Sequence, residues 1–586
     1  MNSSKNISKK EMNQKSSTMR LIAYMKPYAH WVIFALLLVL GLTAFDLYRP
    51  MLVGDAIDTF GANGDYDVII ATAIKYAVVL ALSFAFNIAQ TWILQKTGQN
   101  IILQMRKDLY RHIQSLGSRY FDITPVGKLV TRVTNDVEAL NEMYSGILVQ
   151  LFRNIVKIVG LAGVMLVLDV RLAAISFVLM PLVIGLTVLC QKIARNIYRL
   201  YRTRLTDINT FLSEHLSGMK IIQIFGRQER KFEEFHDKNT KLYKAFYREM
   251  LMYAVFRPLI YILSILSLMI VLWFGSRNVF DEIISVGTLY IFSNYIRSFF
   301  DPIQELAEQF STLQSSIASA EKIFTVMDED EFIPEVENPK QPDKITGKIE
   351  FDHVWFAYDG ENYVLKDVSF VINPGEKVAF VGATGAGKSS ILNLIGRYYD
   401  IQKGHIYIDG IDIRQLSKKQ LRSAIGQMQQ DVFIFEGDVA YNIRLNDDDI
   451  TDAQVKAAAE YVNASHFIEK APTGLSRAGY GACATFSAGE RQLLSLQGTL
   501  DHNPSILVMD EATANIDTET EILIQEALEK LMDGRTTIMV AHRLSTIQHA
   551  DCIMVMHKGR ICERGTHREL LEQDGIYRKL YELQIS

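Results

Sequence analysis

A glycine-rich segment at residues 382–389 contains the residue types that hold a phosphate chain. The strand-like run KVAFV leads into Gly382-Ala-Thr-Gly-Ala-Gly-Lys388-Ser389, and the helical pattern SILNLIGRYY follows. Glycine N–H groups can wrap phosphates, Lys388 adds a cation beside their outer oxygens, and Ser389 offers a hydroxyl to Mg²⁺. A helix that starts here adds the positive end of its dipole. The order strand, loop and helix predicts a P-loop for a nucleoside triphosphate. We expect these residues to contact the nucleotide: Gly382, Thr384, Gly385, Ala386, Gly387, Lys388, Ser389 and Ser390.

A second chemical signal is an apolar strand that ends in two carboxylates, Ser505-Ile-Leu-Val-Met-Asp510-Glu511. Asp510 is predicted to hold Mg²⁺ through its water shell, and Glu511 to polarise an attacking water as general base. The alternative is a solvated acidic strand end without chemistry. A buried strand that delivers both groups downstream of a P-loop favours hydrolysis of the bound nucleotide.

The average composition of the 586-residue chain hides a difference in hydrophobicity between its two parts, one suited to a membrane and one to water. Hydrophobic residues make up 49% and charged residues 22%, close to soluble averages. Residues 1–310 nevertheless hold long apolar stretches, whereas the chain beyond them alternates strand and helix patterns. The net charge of -5 argues against a nucleic-acid partner, which normally requires clustered Lys and Arg. The cysteines lack the spacing of a zinc site or a disulfide framework. They are Cys190, Cys483, Cys552 and Cys562.

The apolar stretches are long enough to cross a membrane, which takes about 20 residues per helix. The six predicted spans lie near 29–50, 68–94, 145–168, 172–192, 252–276 and 284–308. The long segments after the second and fourth spans are basic, and the segment after the first span is acidic. The positive-inside rule therefore predicts cytoplasmic N- and C-termini and a cytoplasmic ATPase domain. The polar, lysine-bearing start does not resemble a signal peptide and is interpreted as a cytosolic tail.

Ionisable residues inside spans are costly and suggest function. Asp46 lies beside Phe45, where a carboxylate among aromatics could attract a cationic amphiphile. The alternative is that nearby Arg49 neutralises it. For Lys75, Arg153 and Lys157 we favour positions near an interface, where the side chains snorkel. Arg257 is a further candidate. Aromatic residues suit either an adaptable apolar cavity or ordinary packing, and they are Phe84, Phe86, Tyr290, Phe292 and Tyr295.

These patterns predict an all-α six-helix transmembrane domain followed by an α/β P-loop ATPase domain. We place a cytosolic tail and elbow at 1–28 and the transmembrane domain, with two long intracellular loops, at 29–325. An acidic, proline-containing linker occupies 326–346, and the ATPase domain occupies 347–586.

With these motifs in this order, the chain resembles the ABC transporters over essentially its whole length. Tyr358 in FAYDG resembles the aromatic that stacks on adenine, and Gln430 in MQQDVFIF resembles the glutamine that senses Mg²⁺ and water. His542 in VAHRLST resembles the switch histidine at the γ-phosphate, and Asp517 in ANID resembles the D-loop aspartate. The segments RYFDITPVGKLVTRVTNDVEAL and FLSEHLSGMKIIQIFGRQERKFEEF are similar to the two intracellular loops of type IV exporters.

The resemblance implies a coupling helix in each intracellular loop, ATP and Mg²⁺ as cofactors, and two ATPase domains closed head to tail. Each nucleotide is then held by one chain's P-loop and the other chain's signature loop. Under this arrangement Ser487 and Gly489 would contact the nucleotide held by the other chain's P-loop. Lys388, Glu511 and His542 would act on the nucleotide held by this chain's own P-loop.

The signature itself departs from the family's LSGGQ, because this chain has Phe486-Ser487-Ala488-Gly489-Glu490. Ala488 adds a Cβ where backbone must approach closely, and Glu490 adds negative charge near a polyanion. The alternative is that the Glu490 side chain points away into solvent. The P-loop and acidic pair remain intact, so a partner with an unaltered signature would rescue one of the two sites. We therefore predict a non-identical partner that has LSGGQ and a defective catalytic carboxylate of its own, as in heterodimeric bacterial multidrug exporters of the EfrCD and LmrCD type, in which this chain resembles the D-type subunit.

The expected function is ATP-driven export of amphipathic compounds across the plasma membrane by a multi-pass heterodimer embedded in the lipid bilayer. Three alternatives remain open at this point. They are a lipid flippase of the same architecture, a homodimeric exporter that tolerates the altered signature, and a regulatory membrane subunit that does not pump.

Overall fold

Two separate units make up the chain. The computed structural model describes residues 17–63, 66–428, 432–435, 438–444, 450–465, 486–501, 504–510, 518–540 and 550–585. One unit consists of Met1–Gln114 and Val126–Glu329, and the other of Ser115–Pro125 and Asp330–Ser586. The first is called the helical unit below, and the second the ATPase unit.

Long helices form the helical unit. Most of its length lies in six elements, and shorter helices, a 3₁₀ turn at Lys26–Tyr28 and π-helical segments at Arg132–Asp136 and Met143–Ile147 join them. The helices are α1 Ala29–Asn63, α2 Tyr66–Ser115, α3 Ser118–Ile123 (in the ATPase unit), α4 Val126–Thr131, α5 Val137–Glu142, α6 Leu148–Leu168, α7 Val170–Phe177, α8 Met180–Ser217, α9 Met219–Ile224, α10 Gln228–Phe280 and α11 Val286–Met327.

Five helical stretches of the described residues are long and apolar enough to cross a membrane. They are Ser17–Gly61, Tyr66–Ser115, Val126–Leu168, Val170–Ser217 and Gln228–Phe280. The sixth predicted span is also helical, as α11, but Asn294, Arg297 and Asp301 interrupt its apolar run. It still packs tightly, because Phe292 and Tyr295 are almost fully buried in the core of the helical unit.

The helices extend well past the apolar segments that predicted them. The second span is predicted to end near residue 94, but α2 continues to Ser115. The fourth predicted span comprises most of α7 and the start of α8, and α8 continues to Ser217. The fifth span belongs to α10, which already begins at Gln228. The apolar residues of these extensions have the heptad-like spacing that is typical of helices.

The ATPase unit combines two sheets with short helices. The four-stranded sheet has the order β2-β1-β4-β5, and the six-stranded sheet has the order β10-β9-β3-β8-β7-β6. The strands are β1 Ile349–Phe356, β2 Leu365–Ile372, β3 Lys377–Val381, β4 Lys403–Ile408, β5 Ile411–Asp412, β6 Ile425–Met428, β7 Ile506–Asp510, β8 Thr536–Val540, β9 Cys552–His557 and β10 Arg560–Gly565. The remaining helices are α12 Lys388–Ile395, α13 Lys418–Ser423, α14 Val439–Arg444, α15 Asp452–Tyr461, α16 Ala488–Asp501, α17 Thr518–Met532, α18 His567–Glu572 and α19 Ile576–Ile585, with a 3₁₀ turn at Ile413–Gln415.

The arrangement of the six-stranded sheet determines where chemistry can occur. β3 pairs in parallel with β8 and β9, and β7 pairs in parallel with β8 and β6. Four of the five residues of β3 and of β7, and all of β8, are buried, as expected for parallel strands covered on both faces. Because parallel strands end at the same edge, the segments after β3 and β7 emerge at one edge of the sheet, on either side of β8.

Candidate nucleotide-binding site

The P-loop follows the central strand β3 and ends where α12 begins. α12 starts at Lys388, and Gly387 is its N-cap. β3 has neighbouring strands on both sides, so the start of the loop is held firmly. The loop N–H groups and the N-terminus of α12 therefore share one fixed site, which is the arrangement that binds phosphate.

Two loop glycines are required by both backbone and surroundings. Gly382 and Gly387 have φ of +155° and +102°, in the region that other residues avoid. A Cβ on Gly387 would lie 2.7 Å from Leu365 Cδ2, and a Cβ on Gly382 would overlap the carbonyl oxygen of Met556. Gly385, with φ of +80°, has open space around it, so only its backbone conformation favours glycine.

Lys388 folds into the loop instead of reaching into solvent. Its side chain belongs to a residue only 6% exposed. Its Nζ donates to the carbonyl oxygens of Gly382 at 2.7 Å and Ala383 at 3.2 Å. These carbonyls satisfy a buried cation that would otherwise be costly. They also keep the ammonium beside the loop N–H groups, where a phosphate chain would meet both.

Ser389 and Asp510 lie next to each other at the sheet edge. Asp510 ends β7, Ser389 lies in the first turn of α12, and the Ser389 Oγ donates to Asp510 Oδ1 over 3.4 Å. A hydroxyl and a carboxylate are the oxygen ligands that Mg²⁺ prefers when it is bound with phosphates. The donor set therefore fits a magnesium ion at this position.

Tyr358 lies beside the P-loop helix. Its hydroxyl is 3.0 Å from the Oγ of buried Ser390, and its ring makes an edge contact at 5.0 Å with Tyr399. Tyr399 donates a hydrogen bond to the Asp122 carboxylate of α3. Burial, together with this hydrogen bond, raises the pKa of Tyr399, so the phenol stays protonated as the donor. The aromatic side chain predicted at adenine is thus held against the phosphate loop.

The β9–β10 turn supports the P-loop, and this contact was not predicted from the sequence. Gly559 donates its N–H to the carbonyl oxygen of Ala386 at 3.2 Å and accepts from the Lys366 N–H at 2.8 Å. Its φ is +82°, and a Cβ there would overlap the carbonyl oxygen of Val364. The Lys558-Gly559 pair between two alternating strands was the available turn signal. Nothing local indicated that this turn would reach the P-loop.

The altered signature forms a capping box at the start of α16. The Ser487 Oγ accepts the Glu490 N–H at 3.2 Å, and the Glu490 carboxylate accepts the Ser487 N–H at 2.7 Å. This reciprocal pair satisfies two helix-terminal donors. The Glu490 side chain therefore folds back over the helix N-terminus. The Glu490 carboxylate of this chain thus lies at the signature serine, and its proximity to a nucleotide of the other chain stays a prediction.

Four predicted site residues lie outside the described residues, and so does one cysteine. They are Gln430, Glu511, Asp517, His542 and Cys483. The structure thus brings together Tyr358, the P-loop, Ser389 and Asp510. Ser487 and Gly489 start α16, which packs against β6 and α17.

Comparisons with known proteins agree with this architecture. A model of the ABC transporter transmembrane region matches residues 32–303, and a model of the ABC transporter ATPase family matches residues 365–514. YheH of Bacillus subtilis, described as a probable multidrug resistance ABC transporter ATP-binding/permease protein, is 38% identical over 87% of this chain and 76% of YheH. The chain belongs to the ABC transporter family.

Two further similarities extend the comparison. The ATP-dependent lipid A-core flippase of Desulfotalea psychrophila is 33% identical to this ABC transporter over 94% of the chain and 96% of the flippase. A solved structure of a bacterial Atm1-family ABC exporter with ATP bound has a TM-score of 0.78, with 24% identity, over 95% of this chain and 98% of that one. This confirms the predicted fold class. The ABC transporter hydrolyses ATP and couples hydrolysis to transport.

The charged residues of the spans are arranged differently from expectation. In this ABC transporter Asp46 is neutralised, because it pairs with Arg49 of its own helix and with Arg153 of α6 at 3.4 Å. This favours the alternative of neutralisation over a cation-attracting Asp46. Arg153 therefore faces other helices, and Lys75 is exposed, while their depth relative to an interface stays a prediction. The side chain of Arg257 lies outside the described residues.

The aromatic candidates divide between packing and cavity. Phe292 is buried in the core, and Phe86 packs edge-on against Phe45 at 5.4 Å, as ordinary packing predicts. Tyr290 and Tyr295 line one cavity of the helical unit, and Phe84 lines another. Packing thus accounts for Phe86, Phe292 and the buried Tyr295, whereas Phe84 lies on an apolar cavity wall with Leu42 and Leu80.

Proposed function

We propose that this ABC transporter is one half of a heterodimeric exporter of amphipathic compounds in the plasma membrane. Its termini and ATPase unit would be cytoplasmic, in keeping with the basic segments after the second and fourth spans. The substrate class is supported by similarity to YheH, with its multidrug description. The asymmetry is supported by one observation, the altered signature at the start of α16.

The capping box would make this signature a poor partner for a nucleotide. The Ser487 hydroxyl and N–H are both engaged by Glu490. Its carboxylate brings a formal negative charge to a helix N-terminus that would otherwise attract phosphate. Ala488 adds a Cβ in the same turn. A γ-phosphate approaching across a dimer would meet repulsion where the family offers a hydroxyl and N–H groups.

The P-loop of the same chain retains what hydrolysis needs. Lys388 would contact the β- and γ-phosphates, and Tyr358 would stack on adenine. Ser389, Asp510 and Gln430 would hold Mg²⁺, which when bound neutralises charge on the phosphate oxygens. Glu511 would activate the attacking water, and His542 would contact the γ-phosphate. Asp517 would join the dimer contact, while Ser487 and Gly489 would face the partner's nucleotide.

Exposed apolar side chains support assembly with another half. On the helical unit, α9 and the residue after it expose Ile221, Ile224 and Phe225, at 62%, 69% and 71%. On the ATPase unit, Phe433 is 76% exposed, and Phe435 is also exposed. Apolar side chains clustered in this way commonly mark interaction surfaces. Each would be covered if the intracellular loop of one half met the ATPase unit of the other.

The proposal is tested by ATP turnover of the chain alone and of its complex with the co-purified partner. We expect Glu511→Gln to reduce turnover of the complex about 100-fold or more, because a general base contributes on that order. The double variant Ala488→Gly and Glu490→Gln should raise turnover of the chain alone and change the complex little. Full turnover by the unmodified chain alone would overturn the heterodimer.

A lipid flippase of the same architecture is the second candidate, favoured by the similarity to the lipid A-core flippase. The two candidates share the same ATP chemistry and differ in cargo. Reconstituted vesicles with a fluorescent phospholipid and, separately, an amphipathic dye distinguish them. Movement of phospholipid alone would favour the flippase, and uptake of dye would favour the multidrug exporter.

A further inference from the structure

Three adjoining cavities of the helical unit share one charged wall. The first, of 280 Å³, is lined by Asp46, Arg49 and Lys157. The second, of 470 Å³, is lined by Arg153, Lys157 and Glu305. The third, of 610 Å³, is lined by Asp46, Arg49 and Arg153. Their dimensions are those of ordinary ligand pockets. Three cations and two carboxylates thus line a connected set of cavities between α1, α2, α6 and α11.

The carboxylates of this wall already have donors. Asp46 lies between the guanidinium groups of Arg49 and Arg153. Glu305 accepts a hydrogen bond from the Asn154 amide at 2.9 Å. Neither carboxylate therefore needs a cationic ligand to be satisfied.

Lys157, unlike these carboxylates, lacks a partner among the described residues. It is half-buried, lines two of the cavities, and has no hydrogen bond or ion pair with any of the described residues. The charged groups that act on it are the cations Arg153 and Arg49 and the carboxylates of Glu305 and exposed Asp301. A cation within a membrane span is costly unless it is paired or serves a ligand. The unsatisfied charge of the wall is therefore positive.

Beside this wall lies an apolar cleft. The third cavity continues from Arg49 and Arg153 onto Leu42, Leu80 and Phe84. A ligand with its head at the cations can therefore lay a hydrocarbon chain along α2 without leaving the cavity. Such a site distinguishes ligands by head-group charge and accepts many chains, because apolar contacts are not directional.

We propose that these cavities bind amphiphiles with an anionic head, a carboxylate or phosphate, on an acyl chain. The head is neutralised by Lys157 and Arg153, and the chain occupies the cleft of Leu42, Leu80 and Phe84. The inference rests on the proposed export function and specifies the cargo of the same transporter. The head group can come from a free fatty acid or from a membrane phospholipid, and the two sources are separated below.

Photolabelling tests the site without ATP. The full-length chain in its natural assembly is placed in phosphatidylcholine nanodiscs with photoreactive dodecanoate, photoreactive phosphatidic acid or photoreactive dodecyltrimethylammonium. We expect an anionic probe to label peptides of α1, α2 and α6. Lys157→Gln should lower that labelling at least 5-fold, and Lys157→Arg should retain it. Lys75→Gln removes a cation from an exposed position outside these cavities and should label as the parent does.

The outcomes identify the source of the head group and test the site independently of ATP hydrolysis. Labelling by dodecanoate identifies a free acid as the source, and labelling by phosphatidic acid alone identifies a membrane lipid; both support the site. The proposed site is overturned if the cationic probe labels the chain and Asp46→Asn abolishes that labelling. It is also overturned if Lys157→Gln leaves labelling by the anionic probes unchanged. Because no ATP is present, this result is independent of the Glu511→Gln experiment, whose failure would instead overturn the proposed export function.

Discussion

At the scale of single residues, Tyr358 connects two parts of the nucleotide site. Its hydroxyl contacts Ser390 Oγ at 3.0 Å, and its ring packs edge-on against Phe356 at 4.7 Å and against Tyr399. The ring is thus positioned by aromatic contacts and the hydroxyl by the P-loop helix. The two roles can be separated, because phenylalanine keeps the ring and alanine removes both.

We expect Tyr358→Ala to weaken ATP binding about 5- to 150-fold, since stacking of a base on an aromatic ring contributes about 1–3 kcal/mol. Tyr358→Phe should weaken it less, because only a hydrogen bond of about 0.5–1.5 kcal/mol is lost. Calorimetric titration of the solubilised chain with ATP measures both. Equal losses in the two variants would show that the ring does not contact adenine.

At the scale of elements, α16 depends on the two residues that also alter the signature. Ser487 and Glu490 satisfy each other's N–H groups, so each has a structural role separate from charge. A glutamine at the third helical position can make the same hydrogen bonds as the glutamate. Geometry and charge can therefore be changed independently at Glu490.

We expect Glu490→Ala and Ser487→Ala to loosen the first turn of α16, at a cost of about 0.5–2 kcal/mol each. Glu490→Gln should leave the helix intact and remove only the charge. Hydrogen exchange of the first α16 amides measures the cap. A Glu490→Gln variant that exchanges as fast as Glu490→Ala would show that the carboxylate charge itself holds the turn.

Elements were predictable where the signal was local. The run KVAFV, the glycine loop and the apolar strand before Asp510 each indicated their own structure, and β3, α12 and β7 follow them. The Ser487-x-x-Glu490 spacing is also a local capping signal, which the departure from LSGGQ does not by itself reveal. The contact of Gly559 with Ala386 joins residues far apart in sequence, so no local pattern predicted it.

The helical unit shows the same limit. Spacing identified Asp46, Arg153 and Lys157 as unusual, yet which of them pair depends on how α1, α6 and α11 pack. A hydropathy pattern gives the depth of a charge along a helix but not the direction that its helix faces. The pairing of Asp46 and the exposure of Lys157 to two cavities therefore required the structure.

At the scale of the whole molecule, the proposed asymmetry has one location. In this chain Lys388 contacts the P-loop carbonyls, and Ser389 contacts Asp510 at the sheet edge. The altered signature of the same chain lies at the start of α16. Hydrolysis in a heterodimer should then occur at this chain's P-loop and not at the partner's. The two subunits differ in size or can be tagged to differ, so the site can be assigned.

We expect a photoreactive ATP analogue, trapped after turnover with orthovanadate, to label this chain at least 10-fold more strongly than its partner. Trapping requires hydrolysis, so Glu511→Gln should abolish it, whereas Glu490→Gln should leave the ratio unchanged, because the predicted partner lacks the catalytic carboxylate at the second site. Gel separation of the labelled subunits gives the ratio. Equal labelling of both subunits would mean that two sites turn over, and a symmetric exporter would then describe this protein better.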